Sequence, residues 1–302
     1  MSGAPARSVV VPVYNEAGNI VPLFTEIRDV MGALGAPFEV IYVNDGSTDT
    51  TLDELRSLTT ANPCLRVLDL DGNFGEAAAL SAGFRAARGE VIITLDGDGQ
   101  NDPHDIPRLL DALERQGCRV VSGWRQRRQE GFLLRVLPSR LANWLIAAVS
   151  RIPVHDNGCG LKVYRRSVVE RAALPRGMNR FMPAIFGVAA HQVVEVPVRD
   201  RRRQHGQSHY GISRTLVVMR DLLALRAIIA HPQRSEVVWT VVAVSMATAV
   251  LYGQWTRHGW VVLGGTAVLT AAVMIRWNLR RYNRAQRAGV FRVHREYGGE
   301  HE

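Results

Sequence analysis

Between Val237 and Ile275 the only formal charge is Arg257, and residues 276–295 then carry seven arginines and no acid. Few folds accept such a run. The uncharged stretches 237–255 and 259–275 each approach the roughly 20 apolar residues that cross a bilayer core. They are expected to form a two-helix transmembrane hairpin within 231–276; a hairpin buried in a soluble core is the alternative. Arginines crowd the flanks before Glu236 and after Ile275, whereas the connection Thr256, Arg257, His258 is charge-poor. The positive-inside rule therefore puts both outer flanks in the cytoplasm. Residues 277–302 read as a basic cytoplasmic tail, and the expected location is the inner cell membrane, multi-pass, with the N-terminal portion cytoplasmic.

The 302 residues amount to about two average domains at roughly 150 residues each. The net charge of +9 comes from 37 basic residues, and only Lys162 among them is lysine. Guanidinium forks suit phosphate and carboxylate oxygens, although a GC-rich genome gives the same skew. Cys64, Cys118 and Cys159 are too few and too scattered for a disulfide framework or a zinc cage, which fits a reducing compartment. Ahead of Pro12 the apolar run Val9, Val10, Val11 is too short for a signal peptide.

The first 125 residues alternate short apolar runs with helical patterns, as βαβ units around a mostly parallel sheet do. Strands are expected at 8–14, 38–44, 65–70, 91–96 and 119–123, and helices at 19–34, 50–60, 76–88 and 103–115. The last helix opens with Asn101 and Asp102 as a cap and Pro103 behind it. Ligands of open α/β sheets bind at the strands' carboxyl ends, where every conspicuous acidic motif falls. Two segments, 132–149 and 213–230, mix apolar residues with arginines. They read as helices lying in a membrane interface, with packed core helices as the alternative.

The motif DGDGQ, Asp96 to Gln100, directly follows the strand-like run VIITL. Two carboxylates one residue apart at a strand end are costly unless a cation is shared, and Mg²⁺ takes one or two carboxylates plus substrate phosphates. A polar turn is the plain alternative. VPVYNE places Tyr14, Asn15 and Glu16 beyond the first strand, and VNDGSTD places Asp45 beyond the second. Each alone passes for a turn or a helix cap. Three strand ends, at Tyr14, Asp45 and Asp96, bringing polar groups to one rim are what a nucleotide-binding crevice requires.

Together with NFGEAAALSAGFRAARGE, HDNGCGLKVYRR and RQHGQSHYG, these motifs resemble the family-2 glycosyltransferases. The likeness is greatest to the branch of dolichyl-phosphate mannose synthases and bacterial polyprenyl-phosphate glycosyltransferases, and it covers roughly residues 8–230. It implies a GT-A α/β domain over 1–230 that includes the interface helices. It implies donor binding by Pro12, Tyr14, Glu16, Asp45 and Asp96, and a Mg²⁺ or Mn²⁺ ion held by Asp96, Asp98 and Gln100. Arg125, Arg135, Ser139, Arg203 and Ser208 match positions that in similar enzymes hold acceptor or leaving phosphates, with surface arginine as the alternative for the basic ones. Asp156 matches an aspartate near the acceptor, a candidate base or positioning carboxylate; a loop cap is the alternative. His155 and His205 are the alternatives to Asp156, although a lone histidine beside a loop is more often a hydrogen-bonding surface residue than a catalyst, and Cys159 reads as a small packed residue.

The implied reaction is inverting transfer of one sugar from a nucleotide-diphosphate sugar to polyprenyl phosphate. A phosphate monoester has a second pKa of about 6 and is mostly a dianion at neutral pH, so it needs little help from a base. Charge is the harder problem: two unit charges roughly 4 Å apart repel by about 4 kcal/mol at an effective dielectric of about 20. A hydroxyl acceptor on a lipid-linked glycan or protein is the alternative, and nucleic acid is not an expected partner. Paired interface helices suit a homo-oligomer. His209 stands where many relatives carry lysine, Gly99 replaces a larger residue, and no QxxRW-type motif follows Trp124, which argues against a processive polysaccharide synthase.

Overall fold

The chain is described by a computed structural model over residues 5–126, 145–201, 212–256 and 258–299. The expected apolar runs become strands β1 Arg7–Val13, β2 Phe38–Asn44, β3 Leu65–Leu70, β4 Val91–Thr94 and β5 Val120–Arg125. Between them lie helices α1 Ile20–Ala33, α2 Thr51–Thr59, α3 Glu76–Ala86 and α4 Ile106–Arg115; shorter helical turns are left unnumbered. The expected cap at Asp102 is present: its side chain accepts the His104 N–H and Pro103 opens a 3₁₀ turn that runs into α4.

Helices on both faces explain why the strands are almost continuously buried. Val9, Val11 and Val13 share a core with Phe24 and Ile27 of α1 and with Leu109 and Leu113 of α4. On the opposite face Val10 meets α3 at Gly83, where any Cβ would collide with the valine, so the helix approaches the strand closely.

Three strands fall outside the sequence expectation: β6 Lys162–Arg165, β7 Val193–Val198 and β8 Val293–Gly298. They complete a sheet of order β7-β5-β6-β4-β1-β2-β3-β8. β6 runs antiparallel between β4 and β5, and β8 antiparallel beside β3. β1 is parallel to β2 and β4, β2 to β3, and β5 to β7. Six strands therefore end at one rim, and β6 begins there.

β8 arrives after the apolar segment, in the region expected to be a basic tail. Its Glu296 bonds the buried Arg66 at 2.8 Å, and Arg66 also reaches Glu39 at 2.6 Å and the Ala86 carbonyl at 2.9 Å. Glu39 takes the Ser8 hydroxyl at 2.6 Å and the Arg88 N–H at 2.7 Å. Burial opposes the Arg66 charge, but the two carboxylates outweigh it and hold the guanidinium pKa above its usual value. Tyr297 of β8 packs on the core beneath Arg56, whose guanidinium lies 5.0 Å from the ring. A strand that supplies a counter-charge and covers an edge is part of the sheet.

A second compact unit spans Tyr210–Gly289. It contains α5 Ile212–Ala230, α6 Pro232–Trp255 and α7 Gly259–Ala288. α6 and α7 are each long and apolar enough to cross a membrane. Val237, Val241, Leu251 and Leu263 are each at least 60% exposed, which a hairpin buried in a soluble core would not leave. α7 continues 13 residues beyond Ile275 because Asn278, Leu279, Asn283 and Ala285 are buried on one side of it; Gly289, at φ +79°, ends it. Within the segment 213–230, α5 buries Asp221, Leu222, Leu225 and Ile228 and exposes Leu223, Arg226 and Ile229. Trp277 lies between the guanidinium groups of Arg220 and Arg281, at 4.5 and 4.8 Å. The segment 132–149 falls outside the described residues except for the start of a helical stretch at 145–150.

Replacing Glu296 with Ala leaves Arg66 with one carboxylate. Because Glu296 is 43% exposed, the loss should be near the exposed-pair limit of about 1 kcal/mol, or roughly 2–4 °C in Tm for a unit of this size. Thermal unfolding of the detergent-solubilised full chain checks this, and deleting 293–302 should cost considerably more.

Candidate active site

The loops after β1 and β2 are laced together. Asn15, at φ +53°, donates its backbone N–H to Ser47 Oγ at 3.0 Å and accepts the Thr48 N–H on its Oδ1 at 2.8 Å. The backbone N–H groups of Glu16, Ala17 and Gly18 donate in turn to Thr51 Oγ1, Asp49 and Glu54. Asn, Ser, Thr and Asp occur here because short polar side chains satisfy the backbone of two adjoining turns. Tyr14 stands 41% exposed above them. Glu16 is buried and accepts the Asn19 amide at 2.8 Å. Pro12 is buried in β1, and its carbonyl lies beside Gly97 of the acidic motif.

Asp45 is buried, and its two oxygens accept the N–H groups of Phe74 and Gly75, each at 2.7 Å. Burial raises its pKa, and those two bonds only partly offset the effect. Asp45 thus holds the turn that opens α3, and the first residue of that helix, Glu76, reaches the rim electrostatically.

At the end of β4, Asn101 Oδ1 accepts the Asp96 N–H at 3.2 Å, and Asp98 Oδ1 accepts the Gln100 N–H at 3.0 Å. Gln100 gives its carbonyl to the Arg201 N–H at 2.9 Å. Among the described residues no donor is hydrogen-bonded to the Asp96 carboxylate. Burial, then the charges of Glu76 and Asp98, push its pKa up to about 8 against the opposing pull of Arg125 and Lys162. A carboxylate so poorly served by its neighbours fits a divalent cation as its missing partner. Space for its side chain exists because residue 160 is glycine: a Cβ there would collide with the Asp96 carboxylate.

The basic side of the rim comes from β5 and from the loop before β6. Arg125 Nε lies 2.8 Å from Asp156 Oδ2 and its Nη2 3.2 Å from Oδ1, a two-pronged pair with Asp156 fully buried. Burial works against the Arg125 charge; Asp156 more than compensates and raises its pKa. Glu195 of β7 fixes this loop by accepting the N–H groups of His155 and Asp156 at 2.8 and 3.2 Å, and it also contacts His155 Nδ1 at 2.6 Å. The His155 ring stacks on Trp124 with centroids 4.6 Å apart. Lys162, buried at the start of β6, donates to the carbonyls of Asn157 and Cys159. Burial pushes the Cys159 thiol up to about 11, consistent with a packed residue.

The structure therefore brings Asp45, Asp96, Asp98, Gln100, Arg125 and Asp156 to one rim with Pro12, Tyr14 and Glu16. Arg135, Ser139, Arg203, His205, Ser208 and His209 lie outside the described residues. Glu76 and Lys162 lie within the motifs NFGEAAALSAGFRAARGE and HDNGCGLKVYRR, which by themselves assign them no role at the rim, and Glu195 lies outside every motif named above.

Among the described residues the acidic and histidine ligand atoms that cluster within 4.8 Å are those of Glu26, Asp102 and His104. That cluster already holds a cation, because Arg201 reaches Glu26 at 2.7 Å and Asp102 at 2.6 Å. Burial of Asp102 is outweighed by bonds from His104 and by the Arg201 charge, which keep its carboxyl below the usual range. It serves as an ion-paired clasp between α1, the cap of α4 and the segment that follows β7.

Residues 8–172 match the model of glycosyl transferase family 2. The chain belongs to this family. It is 41% identical over 230 residues to dodecaprenyl-phosphate galacturonate synthase of Rhizobium johnstonii, covering 75% of this chain and 68% of that protein. To undecaprenyl-phosphate 4-deoxy-4-formamido-L-arabinose transferase of Pseudomonas paraeruginosa it is 38% identical over 217 residues, covering 72% and 63%. This chain thus spans about two thirds of the length of such relatives. Among solved structures, glucosyl-3-phosphoglycerate synthase from Mycobacterium tuberculosis in complex with Mn²⁺, UDP-glucose and phosphoglyceric acid superposes with a TM-score of 0.56 at 20% identity, over 74% of this chain and 80% of that one. The fold is GT-A-like, and the chain is a family-2 glycosyltransferase.

Gly160→Ala should displace the Asp96 carboxylate without touching the core. Sugar transfer by this variant is expected to fall at least about tenfold, the lower end of what a displaced metal-site group costs, while its Tm stays within a few degrees of wild type. Undiminished transfer would remove Asp96 from the working site.

Proposed function

We propose that this enzyme transfers a single sugar, with inversion, from a nucleotide-diphosphate sugar to polyprenyl phosphate at the cytoplasmic face of the inner membrane. The observation that carries the reading is the rim itself, with the under-neutralised carboxylates Asp96 and Asp98 on one side and the Arg125–Asp156 pair on the other. The acceptor class follows that of the polyprenyl-phosphate enzymes to which the chain is similar.

A Mg²⁺ or Mn²⁺ ion held by Asp96 and Asp98, with Gln100 adjoining, would neutralise the donor diphosphate and favour its departure. Tyr14, Glu16 and Asp45 line the part of the rim where the base and ribose would lie. Across the rim an acceptor phosphate oxygen attacks the anomeric carbon, the bond to the diphosphate oxygen breaks on the opposite face, and the configuration inverts. Asp156 is engaged on both oxygens by Arg125, which suits orienting a guanidinium toward an anion better than taking a proton. A dianionic acceptor has no proton to give up. Arg203 and Arg135, with Ser139 and Ser208, are proposed to complete the phosphate contacts.

Chain connectivity supports the membrane topology. The chain leaves the sheet after β7 and returns to it as β8, so any membrane crossings between them must be even in number. Two apolar helices satisfy this as a hairpin, and the arginine bias puts the sheet on the cytoplasmic side. Tethering the enzyme to the bilayer confines it with a lipid acceptor.

The test is transfer of radiolabel from a panel of UDP-, GDP- and dTDP-sugars into polyprenyl phosphate by the purified full chain, with Mg²⁺, Mn²⁺ or chelator. One donor is expected to label the lipid, with loss of label in chelator and in Asp98→Ala. Labelling only of a hydroxyl acceptor would overturn the proposal in favour of transfer to a glycan or protein.

Asp156→Asn separates positioning from proton transfer. A positioning role predicts that kcat/KM falls by the same factor across about pH 6–9. Loss of the acidic limb of the pH–rate profile in the variant would instead make Asp156 the base.

A further inference from the structure

At the polar end of the α6–α7 hairpin lies an open cavity of about 220 Å³ lined by Glu236, Arg280, Asn283, Arg284 and Arg287. The residues on α7 recur at helical spacing and so form one stripe facing the first turns of α6. Glu236 is already spoken for: one oxygen takes Arg280 Nε at 3.0 Å and the other takes the Asn283 amide at 2.7 Å. The same amide also donates to the Pro232 carbonyl at 3.2 Å, and Arg276 donates to Thr240 Oγ1 at 2.8 Å, so the two helices are fastened together here. Arg284 and Arg287 are exposed and form no ion pair among the described residues. Three guanidinium groups against one carboxylate leave two positive charges around a concave surface.

The cavity sits at a defined depth. Glu236 immediately precedes the uncharged run that begins at Val237, and Arg280 pairs with it from five residues beyond Ile275. This is where a hairpin leaves hydrocarbon for the headgroup layer. Forked donors in excess charge at that level match the oxygens of a phosphate.

We propose that Arg280, Arg284 and Arg287 form a binding site for the phosphate of an anionic membrane lipid. Glu236 and Asn283 set the geometry by fixing Arg280. The site belongs to the Tyr210–Gly289 unit and uses none of the groups assigned to sugar transfer. It rests on the reading of α6 and α7 as membrane-spanning.

The test uses the full chain purified in neutral detergent, with native mass spectrometry counting retained phosphatidylglycerol against phosphatidylcholine. Wild type should retain phosphatidylglycerol preferentially, and Arg284→Gln/Arg287→Gln should lower its affinity by about tenfold or more, given roughly 1 kcal/mol per arginine near an anionic surface. The preference should also fade with added salt in wild type, which needs no variant to fold. Displacement by inorganic phosphate would mean that the phosphate group alone is recognised, whereas persistence against it would mean recognition of the lipid headgroup. Equal retention of the two lipids by wild type, or undiminished phosphatidylglycerol retention by the folded double variant, would overturn the site. If the chain proves soluble without detergent, the membrane reading fails, and direct binding of inorganic phosphate then decides the site separately.

Discussion

Six strands that run in the same direction must release their ends on the same side of a sheet, and every turn leaving them competes for the same few cubic nanometres. Here that space receives Asp45 from β2, Asp96 and Asp98 from β4, Arg125 from β5, and Asp156 and Lys162 from the chain entering the antiparallel β6. Carboxylates brought so close raise one another's pKa unless something cationic intervenes. The fold answers unevenly. Asp45 has two backbone N–H groups, Asp156 has a guanidinium fork, and Asp102 has Arg201, whereas Asp96 has no hydrogen-bond donor among the described residues. Its raised pKa shows that the surrounding residues do least to stabilise its ionised form, which is where a cation would fit.

The rest of the rim serves to hold that inequality in place. Gly160 clears the volume that the Asp96 side chain fills, and Lys162 ties down the loop carrying Gly160 by bonding two of its carbonyls. Glu195, one strand farther out, fixes the backbone of Asp156, which in turn fixes Arg125. Acidic and basic halves are thereby kept apart although they attract one another. An interior salt bridge between them would compensate both charges but would have nothing left to offer a diphosphate and an anionic acceptor.

The C-terminal strand gives the apolar hairpin a topological constraint that composition can only suggest. β8 joins the sheet through backbone pairing with β3 and through Glu296 on Arg66, so both ends of the intervening helices are bound to one body. The same arrangement protects an edge strand that would otherwise be open to pairing with another chain.

Much of this was legible in the residues. Parallel strands buried on both faces write themselves as unbroken apolar runs, which is why β1 to β4 stand within two residues of expectation and why Asp45 and Asp96 could be set at strand ends. Lengths of uncharged helix are likewise a local property, so the hairpin could be read from composition. Other elements depend on partners distant in sequence. β6 and β8 are short, half-polar segments whose strand character comes from pairing with β4, β5 and β3, and no local pattern marks Val293–Gly298 as anything but the tail it was expected to be. Glu195 and Lys162 acquire their roles only when β7 and β6 are inserted beside the rim, and Asp156 is paired with a guanidinium 31 residues away. Sequence alone determined the layered α/β architecture, the acidic strand ends and the apolar hairpin, because periodicity and charge are properties of neighbours along the chain. Tertiary structure decided which carboxylate is neutralised and which is left waiting, because that depends on burial and on charges that meet only when distant strands pair.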